Sequence, residues 1–409
     1  MQQDAASSLR QYAIVTGNYW AFTVTDGALR MLVVLHFHSL GYNALEIALM
    51  FIFYEFFGVV TNLLGGYVGA RIGLNRTMNI GLGLQLVALS MLLVNPSLLT
   101  VMWVMAAQAI SGIAKDLNKM SAKSAVKVLA PTHQNTSLYR WVALLTGSKN
   151  ALKGLGFFLG GALLSLYGFY ASILIMFIGL SAVWVLSLVS LKADLGRSKN
   201  KPKISQILSK STAINRLSGA RLCLFAARDV WFVVALPVYL AQQLGWDYWQ
   251  VSGFLAAWII GYGLVQIVTP SLTKKVQHKN PSSSLRLAHQ TAFKWQSALV
   301  LVPLIMAVGL YLQWHNAAVL VLGLSVFGFV FAVNSSLHSY LILALAKTDQ
   351  VALDVGFYYM ANAAGRLLGT LLSGWVFLQF GFVACLLLSS LLVLCAAYVT
   401  YGMGRTKSL

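Results

Sequence analysis

Two lysines stand inside an apolar stretch, Tyr139–Gly168, YRWVALLTGSKNALKGLGFFLGGALLSLYG. As one helix, this stretch places Lys153 roughly 21 Å from either end, at the middle of a bilayer. A lysine there costs ~3 kcal/mol or more unless it faces a wet cavity or an anion. Lys149, Lys153, Gly156 and Gly160 fall at i, i+4, i+7 and i+11 and so share one face. Small residues on such a face admit a second helix closely. One face therefore combines close packing with buried positive charge. The chemistry is anion binding, or else a structural pairing of each lysine with a carboxylate from another helix.

Other ionisable residues extend the pattern. Within long apolar runs lie Arg30, Lys115, Lys149, Lys153, Arg221, Arg228 and Arg366, against the carboxylates Asp26, Glu55, Asp116 and Asp229. A surplus of buried cations invites an anion, because ion pairing offsets desolvation. Planar arginines together with point-charge lysines suit a phosphate-type oxyanion. Arg30, Lys149, Lys153, Arg228 and Arg366 are the expected substrate ligands. Asp26 and Arg30, at i and i+4, can also simply neutralise each other, and Arg228 and Asp229, being adjacent, call for other partners. Asp26, Glu55 and Asp229 are expected to carry protons or to balance charge. Lys115 and Lys119 open a ladder with Lys123 and Lys127 that guides an anion at the inner mouth or snorkels to lipid phosphate. Arg221, near a span's start, is expected to snorkel too.

Other chemistries find little support. His36 and His38 are two apart on a helix and face different ways, so they make a poor metal pair. His338 has Asn334 one turn before it and adds polar contacts. Cys223, Cys385 and Cys395 are scattered through apolar segments, without a metal spacing or a thiolate trio. A Walker A sequence and an acid–base or nucleophile constellation are both missing. The expectation is a carrier, not an enzyme, with no cofactor and no metal.

These residues need helices that cross a membrane. The 409 residues are 58% hydrophobic and only 10% charged, with mean hydropathy +0.74. Soluble domains average ~25% charged residues. Apolar runs recur about twelve times, near 13–40, 45–70, 76–95, 98–122, 139–167, 169–191, 217–244, 248–270, 290–312, 317–345, 352–380 and 382–403. The net charge of +19 is not a nucleic-acid patch. Its lysines and arginines alternate with loops that hold none, which puts both termini in the cytoplasm. The first apolar run follows a polar start, and no cleavable signal peptide is expected.

The basic linker 192–216 separates a bundle at 1–191 from another at 217–409. Between the halves, NALKGLGFFLGGALLSLYGF registers with NAAGRLLGTLLSGWVFLQFGF. This pairs Gly156 with Gly369, Gly161 with Gly374 and Lys153 with Arg366, as an internal repeat would. Asp26, running on to Leu40-Gly41-Tyr42, pairs more loosely with Asp229, running on to Leu244-Gly245-Trp246. The fold class is an all-α polytopic membrane protein of about twelve transmembrane helices, two six-helix bundles related by a pseudo-twofold repeat.

Six plus six spans and a basic central linker resemble the major facilitator superfamily. Gly66 to Arg76, GYVGARIGLNR, is similar to that superfamily's G-x-x-x-D-R-x-G-R-[KR] signature, with Ala70 at the usual aspartate. Gly156-Phe-Phe-Leu-Gly160-Gly161 is similar to its antiporter signature, with Phe157 in place of proline. Organophosphate antiporters of the superfamily hold phosphate with an arginine from each of spans 1 and 7, and the resemblance carries that role to Arg30 and Arg228. The segments TGNYWAFTVTDGALRMLVVLHFHSLGY, SGIAKDLNKMSAKSAVK and YRWVALLTGSKNALKGLGFFLGGALL resemble the ArsJ family of organoarsenical efflux permeases. That resemblance implies export of 1-arseno-3-phosphoglycerate from the bacterial inner membrane, arsenate resistance, and a functional partner, a cytosolic glyceraldehyde-3-phosphate dehydrogenase that makes the substrate. A sugar-phosphate or organophosphate antiporter without arsenic specificity is the alternative, and a monomer is expected.

Overall fold

A computed structural model describes residues 2–42, 50–129, 135–191, 195–197, 208, 210–246, 248–276 and 281–403. The chain forms helices α1 (Gln2–Ser39), α2 (Ile52–Ile72), α3 (Leu74–Met91), α4 (Val101–Leu129), α5 (Asn135–Ser190) and α6 (Thr212–Phe232). They continue as α7 (Ala235–Leu244), α8 (Tyr248–Leu272), α9 (Pro281–Tyr311), α10 (Asn316–Leu345) and α11 (Val351–Met403). No strand occurs among the described residues. The start of the run expected at 45 and most of the linker expected at 192–216 lie outside them, while α6 already begins at Thr212.

Large apolar side chains such as Phe158, Leu166, Val189 and Leu378 are exposed. A helix satisfies its own backbone and can present such a surface to lipid. The stretches Leu138–Ser190 and Thr348–Met403, of 53 and 56 residues, would each reach ~80 Å if straight, far more than one bilayer. Both fold back at a glycine. Gly168 has φ 74° and ψ 178°, and Gly381 has φ 77° and ψ −176°. Such positive φ values favour glycine because other residues carry a Cβ.

Contacts with α1 establish the hairpin. Gln11 donates to the Ser190 carbonyl at 3.2 Å and Asn18 to Ser187 Oγ at 2.8 Å. Trp20 donates to Ser148 Oγ at 2.8 Å, and His36 stacks on Phe169 with centroids 4.0 Å apart. As α1 advances, the arm before Gly168 ascends beside it and the arm after Gly168 descends. The second half repeats this arrangement. Ser389 donates to the Ala227 carbonyl, Arg216 to the Gly402 carbonyl, and Tyr239 stacks on Phe382 at 4.7 Å. Gly168 and Gly381 occupy the register that pairs Gly156 with Gly369.

The close helix approach implied by the glycine face is present. A methyl on Gly156 would lie 2.6 Å from the Val24 carbonyl oxygen, and one on Gly369 would lie 2.7 Å from that of Ala226. The span expected at 217–244 is broken between Phe232 and Ala235. Pro237 explains the break, because it has no N–H for the carbonyl four residues back and its ring crowds that carbonyl. Ser373 Oγ accepts the freed Ala235 N–H at 3.1 Å.

The chain divides into two compact units. Unit 1 is Met1–Pro131, Ser148–Ser209 and Ala346–Met360; unit 2 is Thr132–Gly147, Lys210–Leu345 and Ala361–Leu409. The opening of α11 thus packs in unit 1, where a methyl on Gly66 would lie 2.6 Å from the Ala352 carbonyl and one on Gly356 2.6 Å from that of Asn62. The opening of α5 packs in unit 2, where Tyr139 Oη lies 2.9 Å from Thr273 Oγ1 and its ring lies 4.9 Å from that of Tyr340.

Candidate functional site

In unit 1 the charged side chains gather around a tyrosine. Asp26 and Arg30 lie one turn apart on α1. Tyr54, in the first turn of α2, is pressed against α4 at Gly112, where a methyl would lie 2.6 Å from the tyrosine carbonyl oxygen. A second glycine contact follows, since a methyl on Gly58 would lie 2.8 Å from Asp116 Oδ2. This seam brings Lys115 to the Tyr54 ring, with Nζ 3.6 Å from the centroid. Arg30 approaches the same ring at 4.9 Å and the Phe51 ring at 5.0 Å. The Tyr54 hydroxyl donates to both oxygens of Asp26, at 2.6 and 2.9 Å.

Asp26 and Arg30 therefore do not neutralise each other as their spacing allows. Arg30 meets Glu55 instead, with Nη2 3.5 Å from Oε1. Its Nε is buried without an acceptor. Asp116 is 1% exposed and lies 3.6 Å from Lys115 Nζ and closer still to Lys119. Lys119 and Lys123 lie 5.2 and 4.9 Å from the Tyr359 ring centroid. On α5, Lys153 Nζ is 5.7 Å from the Phe157 centroid and Lys149 donates to Asn150 Oδ1 at 3.3 Å. A methyl on Gly27 would lie 2.9 Å from the Lys153 carbonyl, so the Lys153 backbone passes the residue after Asp26.

In unit 2 a carboxylate is shared by two arginines. Arg228 Nε lies 2.6 Å from Asp229 Oδ1, and Arg366 Nε lies 3.6 Å from Oδ2. The adjacent pair, expected to need other partners, meets because the arginine is long enough to fold back onto its neighbour. Its guanidinium carbon is 4.8 Å from the Phe225 centroid and 5.6 Å from that of Phe331. Arg221 also departs from expectation. It is 3% exposed, donates to the Ser335 carbonyl at 3.2 Å and lies 4.0 Å from the Phe225 ring. An inward guanidinium over an aromatic face replaces snorkelling.

His36 is held by its stack on Phe169, and the His38 side chain lies outside the described residues. His338 Nε2 is 2.8 Å from Gln296 Nε2. Among the described residues no three histidine, cysteine or acidic side chains cluster as a metal site. Sequence reasoning missed Tyr54 and the aromatic cover of the arginines. In the run FIFYEFF nothing distinguishes Tyr54 from its neighbours, because the hydroxyl's acceptor lies on another helix.

Among the described residues of the unit 1 helices, the buried or half-buried cations are Arg30, Lys115, Lys119, Lys123, Lys127, Lys149 and Lys153, and the carboxylates sheltered with them are Asp26, Glu55, Asp116 and Asp354. In unit 2, three arginines accompany Asp229. Two basic, largely sheltered clusters built on tightly packed helices can hold an anion within each unit.

Comparison with solved structures shows the fold. The human organic anion transporter MFSD10 (TETRAN) is 16% identical with TM-score 0.74, over 96% of this chain and 99% of that one. A bacterial homologue of the iron transporter ferroportin, in an outward-facing state, is 14% identical with TM-score 0.76, over 97% and 99%. The transporter FucP, in the outward conformation, is 12% identical with TM-score 0.71, over 98% and 100%. No curated protein matches the sequence. The family model of the Major Facilitator Superfamily matches residues 14–305. The chain is a multi-pass membrane transporter by family and belongs to the Major Facilitator Superfamily.

Proposed function

We propose that this transporter exports an organic anion bearing phosphate- or arsenate-type charge, by alternating access. The observation that carries the reading is the excess of cations over carboxylates among the buried and half-buried side chains of each unit, with Arg30 Nε buried and lacking an acceptor. Desolvated guanidinium donors are matched best by an oxyanion. Arg30, Lys149 and Lys153 serve as ligands in one unit, and Arg228 and Arg366 in the other. Asp26, Glu55 and Asp229 set the charge balance or carry protons, and Lys115 and Lys119 draw the anion in.

Within that class, the segments resembling ArsJ permeases favour 1-arseno-3-phosphoglycerate. The account then includes a glyceraldehyde-3-phosphate dehydrogenase as supplier, a monomer in the bacterial inner membrane, and cytoplasmic termini. The two bundles would be 1–191 and 217–409, joined by the linker at 192–216. An inside-negative potential assists the exit of an anion.

Everted membrane vesicles test the reading, because export becomes uptake. Vesicles carrying the protein, supplied with glyceraldehyde 3-phosphate, NAD, arsenate and the purified dehydrogenase, should accumulate arsenic. Omission of the dehydrogenase should abolish uptake. Uptake of 3-phosphoglycerate with no uptake of the arsenic compound would favour the organophosphate antiporter.

A further inference from the structure

We propose that Tyr54 is a positioning residue that keeps Asp26 from neutralising Arg30, so that the arginine stays available to the transported anion. The inference rests on the anion reading above and deepens it. Asp26 and Arg30 are one turn apart on α1, a spacing at which an ionised carboxylate and a guanidinium ordinarily meet. Yet both oxygens of Asp26 face the Tyr54 hydroxyl, at 2.6 and 2.9 Å, and share its single O–H. Asp26 and Tyr54 are 7% and 2% exposed. Held this way, the carboxylate is turned toward α2.

The same side chain arranges the cations. One ring carries Lys115 Nζ at 3.6 Å and Arg30 Cζ at 4.9 Å. An aromatic face attracts a cation without cancelling its charge. Arg30 retains one carboxylate contact, to Glu55 at 3.5 Å, between side chains 28% and 23% exposed. A pair that open to solvent is weak, and an entering oxyanion can replace it. The ring has little freedom to leave, since the α4 backbone at Gly112 fits against the Tyr54 backbone with no room for a methyl. Hydroxyl, ring and backbone thus fix three things at once: the acceptor for Asp26, the stations of two cations, and the distance between α2 and α4.

Removing the hydroxyl alone isolates the first of these. In Tyr54→Phe the carboxylate loses its donor and closes on Arg30. Binding of 3-phosphoglycerate to the purified full-length protein, followed by the rise in melting temperature, should weaken about 10- to 100-fold. Asp26→Asn removes the competing charge and should bind as well as wild type or better. The double variant Tyr54→Phe/Asp26→Asn should recover the affinity lost in Tyr54→Phe. A merely structural role predicts weakened binding in both variants that lose the hydroxyl.

A second readout does not depend on the substrate. Phenylglyoxal modification of Arg30, mapped by mass spectrometry, should slow several-fold in Tyr54→Phe and return to the wild-type rate in the double variant. Equal rates in all three proteins would overturn the proposal. Wild-type protein that shows this pattern but no affinity for 3-phosphoglycerate would leave the role of Tyr54 toward Arg30 standing and reject the anion reading.

Discussion

Arg366 Nε lies 3.6 Å from Asp229 Oδ2, while Arg228 Nε lies 2.6 Å from Oδ1 of the same carboxylate. Asp229 is almost fully enclosed, at 1% exposure. One carboxylate between two arginines leaves a net positive centre at this level of α6 and α11. Asp229→Ala would take this carboxylate from both guanidiniums, and removing one partner of a buried ion pair costs ~3–5 kcal/mol. Its melting temperature in detergent should fall steeply. Asp229→Asn retains a hydrogen-bond acceptor and should lose clearly less.

Arg366→Ala leaves Asp229 with Arg228, so the fold should survive with expression near wild type. If Arg366 binds the substrate, half-saturation for 3-phosphoglycerate should rise at least about tenfold, the cost of one charge-assisted hydrogen bond. Arg366→Lys keeps the charge but not the planar fork and should recover only part of the loss. Concentration-dependent uptake in proteoliposomes checks both.

Packing at the two repeat glycines gives a stability test. A methyl on Gly156 meets the Val24 carbonyl at 2.6 Å, and one on Gly369 meets Asp229 Cβ at 2.8 Å. Overpacking of this kind costs ~1–3 kcal/mol, so Gly156→Ala and Gly369→Ala should each melt lower than wild type. Gly179 and Gly374 have no atom within 4 Å of the added methyl. Alanine at those positions should change stability by no more than ~0.5 kcal/mol.

The turn glycines make a separate prediction. At φ 74° and 77°, Gly168 and Gly381 sit where a Cβ is strained although nothing crowds it. Alanine there costs ~1–3 kcal/mol through backbone strain alone, because ψ near 180° at positive φ is a region open essentially to glycine only. Melting temperatures of Gly168→Ala and Gly381→Ala should fall by similar amounts, because the two turns repeat one conformation.

Much of this architecture was legible in the sequence. Apolar runs, and the breaks between them at residues 168 and 381, announced the helices and both hairpins, since span length is a local property. The register of Gly156 with Gly369 also predicted the repeated packing of α5 and α11. Side-chain partners were less legible. The i, i+4 spacing of Asp26 and Arg30 marked a pair, but Tyr54 competes for the carboxylate from another helix. The adjacency of Arg228 and Asp229 argued for other partners, yet a long arginine bends back to its neighbour. Arg221 looked like a helix-end residue, and only the tertiary packing of Phe225 and Ser335 draws it inward. The break before Ala235 could have been read from Pro237, a signal that the apolar run concealed.

The central claim is that buried cations bind an anionic organoarsenical for export. It is tested most directly in cells lacking other arsenic exporters, by measuring arsenic accumulation from arsenate with this protein and a cytosolic glyceraldehyde-3-phosphate dehydrogenase, expressed together or singly. Accumulation should fall only when both are present, and Lys153→Ala or Arg366→Ala should abolish the fall at unchanged expression. The same fall without the dehydrogenase would contradict the organoarsenical substrate, and full export by both variants would contradict the role given to the buried cations.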